Sequence, residues 1–318
     1  MACVDRKNRY RKLCLEEPGI PIFCRDWWLD AVCGENSWDV VLFEKGDRII
    51  GSMPFYVLKR LGFTFLIQPP LTQTLGPWIR PSTVKYVKRL GYQKRVMQGL
   101  IDQLPEYDQF KMNFHHDVDN WLPFYWHGFQ QTTRYTYQLS GLDNEKGLWQ
   151  GLSESTRREI RKATKRFKLK IRNDLGLDTL WELNRETFGR QGMQVPYTRE
   201  LVGRLDSACK QQDCRQIWIA EDAQNRYHAA IYVVWDENSA YYLMGGSNPS
   251  TRNSGAFSLI IWQAIQQAAT VTKQFDFEGS MIESVERFFR GFGARQTPYF
   301  RITKTNSKPL KLIQLFRD

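Results

Sequence analysis

The chain has 318 residues, of which 42% are hydrophobic and 25% are charged, so it can form two ordinary domains and is not a disordered protein. Its net charge of +11 favours polyanionic partners: nucleic acid, nucleotide phosphates or an anionic membrane. No run approaches the roughly 18 apolar residues of a membrane span, and the polar N-terminus is unlike a secretion signal. The sequence therefore predicts a cytoplasmic protein, in which the six cysteines are free thiols.

The first half of the chain predicts mixed strands and helices. A hairpin is expected from Trp38–Glu44 and Ile49–Val57, which flank the turn residues 45–48. The prolines and the glycine of residues 68–78 exclude a helix interior and predict an ordered loop. A helix over Val84–Leu104 and a strand over Gln109–Phe114 follow.

The second half begins after residues 141–143, where we predict the junction between the halves. A basic helix comes first: Thr156 and Glu159 have the spacing of a capping box, and apolar residues recur after them at helical spacing. Two more helices are expected over Leu177–Phe188 and Tyr197–Lys210. The remaining predicted elements are strands at 216–221, 227–235 and 240–246, a helix at 257–270, a strand at 273–277, a helix at 282–290 and a strand at 298–304.

Four segments of the second half are similar to one known group of proteins. They are Tyr241-Tyr242-Leu243-Met244-Gly245-Gly246-Ser247, Arg252-Asn253-Ser254-Gly255-Ala256, Phe275-Asp276-Phe277-Glu278-Gly279-Ser280-Met281 and Phe288-Phe289-Arg290-Gly291-Phe292-Gly293. Together with the basic helix and the order of elements, they resemble the FemA/FemB/FemX-type branch of the GNAT acyltransferase superfamily. In the first half, the loop from Pro69 to Pro77 lies where these proteins carry a Gly-Pro loop.

The resemblance implies an α/β protein of two tandem GNAT-like domains, each a mostly antiparallel mixed sheet flanked by helices. We place them at residues 1–140, a degenerate copy, and 141–318. It implies an acyltransferase that forms an amide by moving an aminoacyl group from aminoacyl-tRNA to an amine. Two alternatives stay open: an N-acetyl- or N-acyltransferase that uses acyl-CoA, and a catalytically inactive binding protein.

The donor is expected at the turn before the 257–270 helix, because free N–H groups at a helix start bind phosphates. Phe257 replaces a small residue of the family pattern, and its bulk is expected to obstruct a pyrophosphate. The basic helix is a second phosphate-binding element and makes tRNA a predicted partner. The predicted donor-binding residues are Arg252, Ser254, Gly255, Ala256, Arg157, Arg161 and Lys162.

Acyl transfer to an amine needs a group that takes the amine proton and groups that stabilise the oxyanion. Asp276 and Glu278 alternate along the predicted strand, so we expect both carboxylates on one face. The family's Phe-Lys-x-x-Phe-Gly motif places Phe289 at the lysine, with Arg290 next to it. The predicted catalytic residues are Asp276, Glu278, Tyr242 and Arg290.

The acceptor is predicted to be a small-molecule, peptide or nucleotide-linked amine bound by Gln73, Trp78 and Tyr299. No tightly bound cofactor is expected, because the donor acts as co-substrate. A metal site at residues 115–117 is not expected, since neighbouring strand residues point to opposite faces. We expect a monomer or a dimer.

Overall fold

The computed structural model describes residues 2–315, with side chains described from 5 to 313. The chain forms two compact units. The first runs to Arg134 and takes up the chain again at Pro298, and the second is Tyr135–Thr297. The C-terminal segment, which the sequence assigned to the second half, thus groups with the first unit.

The first unit is built on a mixed sheet with the order β1-β2-β3-β5-β12, and β4 pairs with β2. Its strands are β1 (Trp38–Lys45), β2 (Arg48–Arg60), β3 (Phe63–Ile67), β4 (Trp78–Ile79), β5 (Gln109–Asn113) and β12 (Arg295–Thr305). Its helices are α1 (Ala2–Glu16), α2 (Asp26–Cys33), α3 (Tyr86–Ile101), α4 (Leu122–Trp126) and α11 (Lys308–Leu315). The β3–β5 pair is parallel, and the other pairs with a known register are antiparallel.

The second unit has the sheet order β6-β11-β10-β9-β8-β7. Its strands are β6 (Gln130–Ser140), β7 (Lys170–Arg172), β8 (Arg215–Glu221), β9 (Tyr227–Trp235), β10 (Ser239–Ser247) and β11 (Gln274–Asp276). Its helices are α5 (Glu145–Gly151), α6 (Glu154–Arg161), α7 (Leu177–Arg190), α8 (Arg199–Gln211), α9 (Ala256–Ala268) and α10 (Glu283–Arg290). These elements confirm the predicted α/β class.

Each unit has its own apolar core. Helix α9 is buried over most of its length and packs on β8 and β9 in the second unit. The core of the first unit is formed by β1, β2, β5 and the inner face of α3. No helix in residues 2–315 is both long enough and apolar enough to cross a membrane.

The basic helix differs from its prediction at both ends. Helix α6 begins earlier, and its N-cap is Ser153, whose Oγ accepts a hydrogen bond of 3.2 Å from the amide of Thr156. After Arg161 the chain continues as a π-helical turn over Lys162–Arg166. Within this turn Ala163 is buried, whereas Thr164 is exposed.

Candidate active site

In the second unit, the pairing of two parallel strands ends early. Strands β10 and β11 pair over only three positions, which end at Tyr241 and Asp276. Beyond that point β10 continues to Ser247, whereas β11 ends. The register of β10 against β9 also shifts between Tyr242 and Met244, which is a β-bulge. Bulges re-aim neighbouring side chains and are frequent beside active sites.

Glu278 lies just past the end of β11. Its backbone is in the left-handed region, with a φ of 56°, and Gly279 follows with a φ of 59°. A left-handed residue with a Cβ costs about 1–2 kcal/mol, and such strain is concentrated at functional sites. The predicted strand alternation of Asp276 and Glu278 is therefore wrong, because the strand ends at Asp276 and the chain turns there.

Asp276 holds this turn in place. Its Oδ1 accepts hydrogen bonds from the hydroxyl of Thr136 and, at 2.7 Å, from the amide of Glu278. Its Oδ2 accepts a bond of 3.0 Å from Nε2 of Gln138. A Cβ at Gly279 would collide with the carbonyl oxygen of Tyr135, so the turn also lies directly on β6. Asp276 is thus a positioning group for Glu278.

The carboxyl group of Glu278 is buried at its Oε1 atom. Burial, and then the nearby charge of Asp276, raise the pKa of this carboxyl well above its usual range. A raised carboxyl pKa is the property expected of an acid–base group that works near neutral pH. Burial, then Tyr197 and Glu278, raise the pKa of the Tyr242 hydroxyl, so this hydroxyl and the Glu278 carboxyl interact electrostatically.

Tyr242 belongs to an aromatic cluster. Its ring centroid lies 6.1 Å from that of Phe257 and 5.9 Å from that of Phe289. Phe257 contacts Phe288 in turn, at 5.6 Å. The side chain of Phe257 is therefore engaged with the aromatic rings, and the expected obstruction of a pyrophosphate does not follow from its bulk. Phe289, at the position of the family lysine, is buried.

Two residues that the sequence did not single out line the end of β10. Asn184 of α7 donates a hydrogen bond of 2.8 Å to the carbonyl oxygen of Gly245, and the hydroxyl of Tyr197 donates to Asn184 at 3.2 Å. A Cβ at Gly245 would lie 2.7 Å from the Tyr242 hydroxyl. The sequence does contain one signal for Asn184: it is a polar residue next to the apolar positions Leu177, Leu180 and Leu183 of α7.

The predicted donor elements come together. Gly255 precedes α9 with a φ of 78°, and a Cβ there would collide with the carbonyl oxygen of Glu159 on α6. Ser254 is buried and accepts a bond of 3.3 Å from the amide of Ala256, whereas Arg252 is exposed. The turn before α9 therefore lies against the basic helix.

The basic residues of α6 differ in how they are held. Arg157 donates to the carbonyl oxygen of Gln150 at 3.0 Å and pairs with Glu154, and Arg161 lies 3.6 Å from the same carboxylate. Lys162 pairs with Glu159 at 2.5 Å. Further cations, namely Arg158, Lys165, Arg166, Lys168 and Lys170, are exposed on the same segment.

Of the predicted catalytic residues, Arg290 has the least structural support for its role. It lies on α10, where its Nε donates a hydrogen bond of 2.8 Å to Glu286 and its side chain is 63% exposed. Glu286 also accepts a bond from the hydroxyl of Tyr137 at 2.9 Å. Arg290 is thus engaged in a surface pair, and its catalytic role stays a prediction.

The predicted acceptor residues lie in the first unit. Nε2 of Gln73 donates a hydrogen bond of 3.4 Å to the hydroxyl of Tyr299, so these two are neighbours. Trp78 is buried in β4 under the guanidinium of Arg80, and it lines a cavity of about 210 Å³ with His115 and other residues.

His115, His116 and Asp117 also differ from their prediction. Strand β5 ends at Asn113, so these residues are not in a strand, and their ligand atoms lie within 4.8 Å of one another. The argument from opposite strand faces is therefore wrong, and these three side chains could hold a metal ion. Burial and then the charge of His115 lower the pKa of His116 to about 4.

Comparisons with known proteins agree with this geometry. A family model described as an acetyltransferase (GNAT) domain matches residues 152–289. A solved structure of FemX is similar with a TM-score of 0.70 and 12% identity, covering 96% of this chain and 98% of that one. No curated protein matches the sequence.

Two further solved structures share the fold. L-PGS from Bacillus licheniformis has a TM-score of 0.52 and 11% identity, over 87% of this chain and 88% of that one. The C-terminal domain (DUF2156) of a putative lysylphosphatidylglycerol synthetase from Agrobacterium fabrum has a TM-score of 0.56 and 9% identity, over 98% and 95%. The likeness to these three structures is one of fold, and it extends over nearly the whole chain. The GNAT acetyltransferase domain that the family model describes lies within the second unit.

Proposed function

We propose that this protein forms an amide by moving an aminoacyl group from aminoacyl-tRNA to an amine. The end of the strand pairing at Tyr241 and Asp276 supports the reaction class, because a carboxyl of raised pKa and a tyrosine hydroxyl that interact electrostatically both follow it in the chain. The basic segment 157–170, which includes α6 and the π-helical turn after it, supports the donor, since exposed cations along one stretch of chain suit a phosphate backbone.

In this reaction the amine nitrogen attacks the carbonyl carbon of the aminoacyl ester. The carboxylate of Glu278 takes the proton that the nitrogen loses, and the C–O bond to the ribose breaks. The hydroxyl of Tyr242 donates a hydrogen bond to the oxyanion and then a proton to the departing ribose oxygen. Proton transfer from Glu278 back to Tyr242 restores both groups.

Acyl-CoA is the second candidate donor. One observation in its favour is the left-handed backbone of Gly255 at the start of α9. The other is that the ring of Phe257 contacts Tyr242 and Phe288, so the expected obstruction of a pyrophosphate does not follow from its bulk. A helix start with free N–H groups suits a pyrophosphate.

The deciding experiment incubates the protein with charged tRNA pools and with acyl-CoAs, each with a mixture of amine acceptors. Mass spectrometry then measures which donor is consumed and which amide forms. We expect deacylation of tRNA coupled to amide formation, lost in Glu278→Gln. Consumption of acyl-CoA alone supports the second donor, and consumption of neither, with every acceptor class, contradicts the proposed activity.

A further inference from the structure

A second cavity, of about 760 Å³, lies in the first unit along β5 and β12. Four of its ten lining residues are cations: Lys111, Arg301, Lys304 and Lys311. None of the ten is acidic, and the others are glycine, glutamine, threonine and asparagine. Its volume falls in the range of small-molecule sites.

The alternation of the strands brings these groups to one face. Gln109 and Lys111 alternate on β5, and Arg301 and Thr303 alternate on β12, so their side chains point to the same side of the sheet. Arg301 lies opposite Asn113 in the register, and its Nε donates a hydrogen bond of 2.9 Å to Oδ1 of that residue. The guanidinium is thus held in place by a neutral group.

The cations of this cavity have no acidic partners. Ion pairs are numerous among the described side chains, yet none involves Lys111, Arg134, Arg301 or Lys311. Arg134, which is not among the lining residues, acts electrostatically on both Lys111 and Arg301. Arg301 and Lys304 are partly buried, whereas Lys111 and Lys311 are exposed and can reach a bound molecule. An anion bound among these cations would supply the opposite charge that the cavity lacks.

The electrostatic balance agrees. Burial, then Arg301 and Arg134, lower the pKa of Lys111, and burial, then Arg134, lower the pKa of Arg301. Tyr299 acts in the opposite direction on Arg301, but its effect is smaller than that of burial or of Arg134, so the pKa remains lowered. The hydroxyl and amide groups around them supply further donors for oxyanions. No aromatic ring lines the cavity, so nothing in it would stack on a nucleobase.

We infer that this cavity is a binding site for a small molecule that carries phosphate groups, such as a diphosphate or a sugar phosphate. Arg301 would bind two phosphate oxygens with its planar guanidinium, and Lys111 would neutralise the remaining charge. The site lies in the first unit and does not depend on the proposed reaction, which uses residues of the second unit.

The test is calorimetric titration of the full chain, at constant ionic strength, with inorganic pyrophosphate, glucose 1-phosphate and glucose. We expect both phosphate compounds to bind and glucose not to bind. Arg301→Gln and Lys111→Gln should each weaken pyrophosphate binding about tenfold or more, because each removes a charged contact. The matched control is Arg158→Gln with Lys165→Gln, which removes two exposed cations of the second unit and should leave this affinity unchanged.

The melting temperature of the unliganded variants separates binding from structure. Lys111→Gln removes repulsion by Arg301 and Arg134, so it should melt at or above the temperature of the wild type. A lower melting temperature with unchanged pyrophosphate affinity would show a structural role and overturn the proposal. Equal binding of glucose and glucose 1-phosphate would also overturn it. So would a loss of tRNA affinity in Arg301→Gln or Lys111→Gln with no loss of pyrophosphate affinity, because that result would assign this face to a polynucleotide.

Discussion

The carboxylate of Asp276 accepts a hydrogen bond of 2.7 Å from the backbone amide of Glu278, two residues further along the chain. The bond closes a turn in which Glu278 is held in the left-handed region. One carboxylate therefore orients the other, and the two acidic residues have different roles. Their variants should behave differently.

Replacing Glu278 by glutamine should stabilise the protein at neutral and alkaline pH. Because the folded state raises the pKa of this carboxyl, it holds more protons than the unfolded state between the ordinary and the raised pKa, and stability falls as pH rises through that window. The neutral amide of the variant does not ionise and carries no such penalty. The melting temperature of Glu278→Gln should exceed that of the wild type at pH 8 and equal it near pH 4.

The control for this prediction is Glu286→Gln. Arg290 and Tyr137 lower the pKa of Glu286 by hydrogen bonding, so its contribution is present above the ordinary carboxyl pKa and is lost as pH falls. This variant should melt lower than the wild type at pH 8. If Glu278→Gln also melted lower at pH 8, the buried carboxyl would not carry the penalty assigned to it.

Asp276→Asn should cost about 1–3 kcal/mol of unfolding free energy, because one amide oxygen cannot serve the three donors that now share two carboxylate oxygens. It should also lower kcat more than it raises KM, since Glu278 loses its support. The charge of Asp276 raises the pKa of Glu278, and the variant removes this charge. The part of the pH–rate profile in which the rate rises with pH should therefore move to lower pH.

Thr136→Val is the matched variant for Asp276→Asn. It removes one hydrogen bond to Asp276 and leaves the charge in place. Its pH–rate limb should stay where it is in the wild type. A shift of equal size in both variants would mean that packing, and not the charge of Asp276, sets the limb.

Gly255→Ala should weaken donor binding and destabilise the second unit by about 1–3 kcal/mol. The new Cβ would collide with the carbonyl oxygen of Glu159 in a backbone conformation that disfavours any side chain. The turn before α9 would have to move away from the basic helix. The control is Gly151→Ala, whose Cβ meets nothing within 4 Å, and donor titration with both variants checks the difference.

Arg158→Gln combined with Lys165→Gln should weaken tRNA binding and reduce the slope of log K against log salt by about 2, as expected when two phosphate contacts are lost. Both residues are exposed on the basic segment. Lys59→Gln with Lys88→Gln removes the same charge from exposed positions of the first unit and should leave the slope unchanged. Equal slopes in the two double variants would remove the argument that tRNA binds the basic segment 157–170.

Most elements could be predicted because their periodicity is local. The hairpin of β1 and β2, the three antiparallel strands from β8 to β10 and helix α9 all follow from residue alternation and turn residues. His228, which lies within the apolar run of β9, is buried with its Nε2 3.0 Å from Asp222. The similarity of the C-terminal motifs to FemAB-like proteins supplied the order of the strands.

The rest depends on contacts that local sequence does not encode. Glu278 leaves the strand because Asp276 binds its amide and β6 lies under Gly279, and neither contact has a signal in the segment itself. The π-helical turn after Arg161 has no composition that marks it. Asn184 supports β10 across 61 positions of sequence, so its role became visible only in the folded unit.

The return of β12 to the first unit sets an order of assembly. Its residues Arg301–Thr305 pair with β5, so that strand keeps an unsatisfied row of backbone groups until these residues have been made. During synthesis the second unit is therefore complete before the first. A truncation before residue 301 would damage the first unit, although its segment up to Arg134 had been translated.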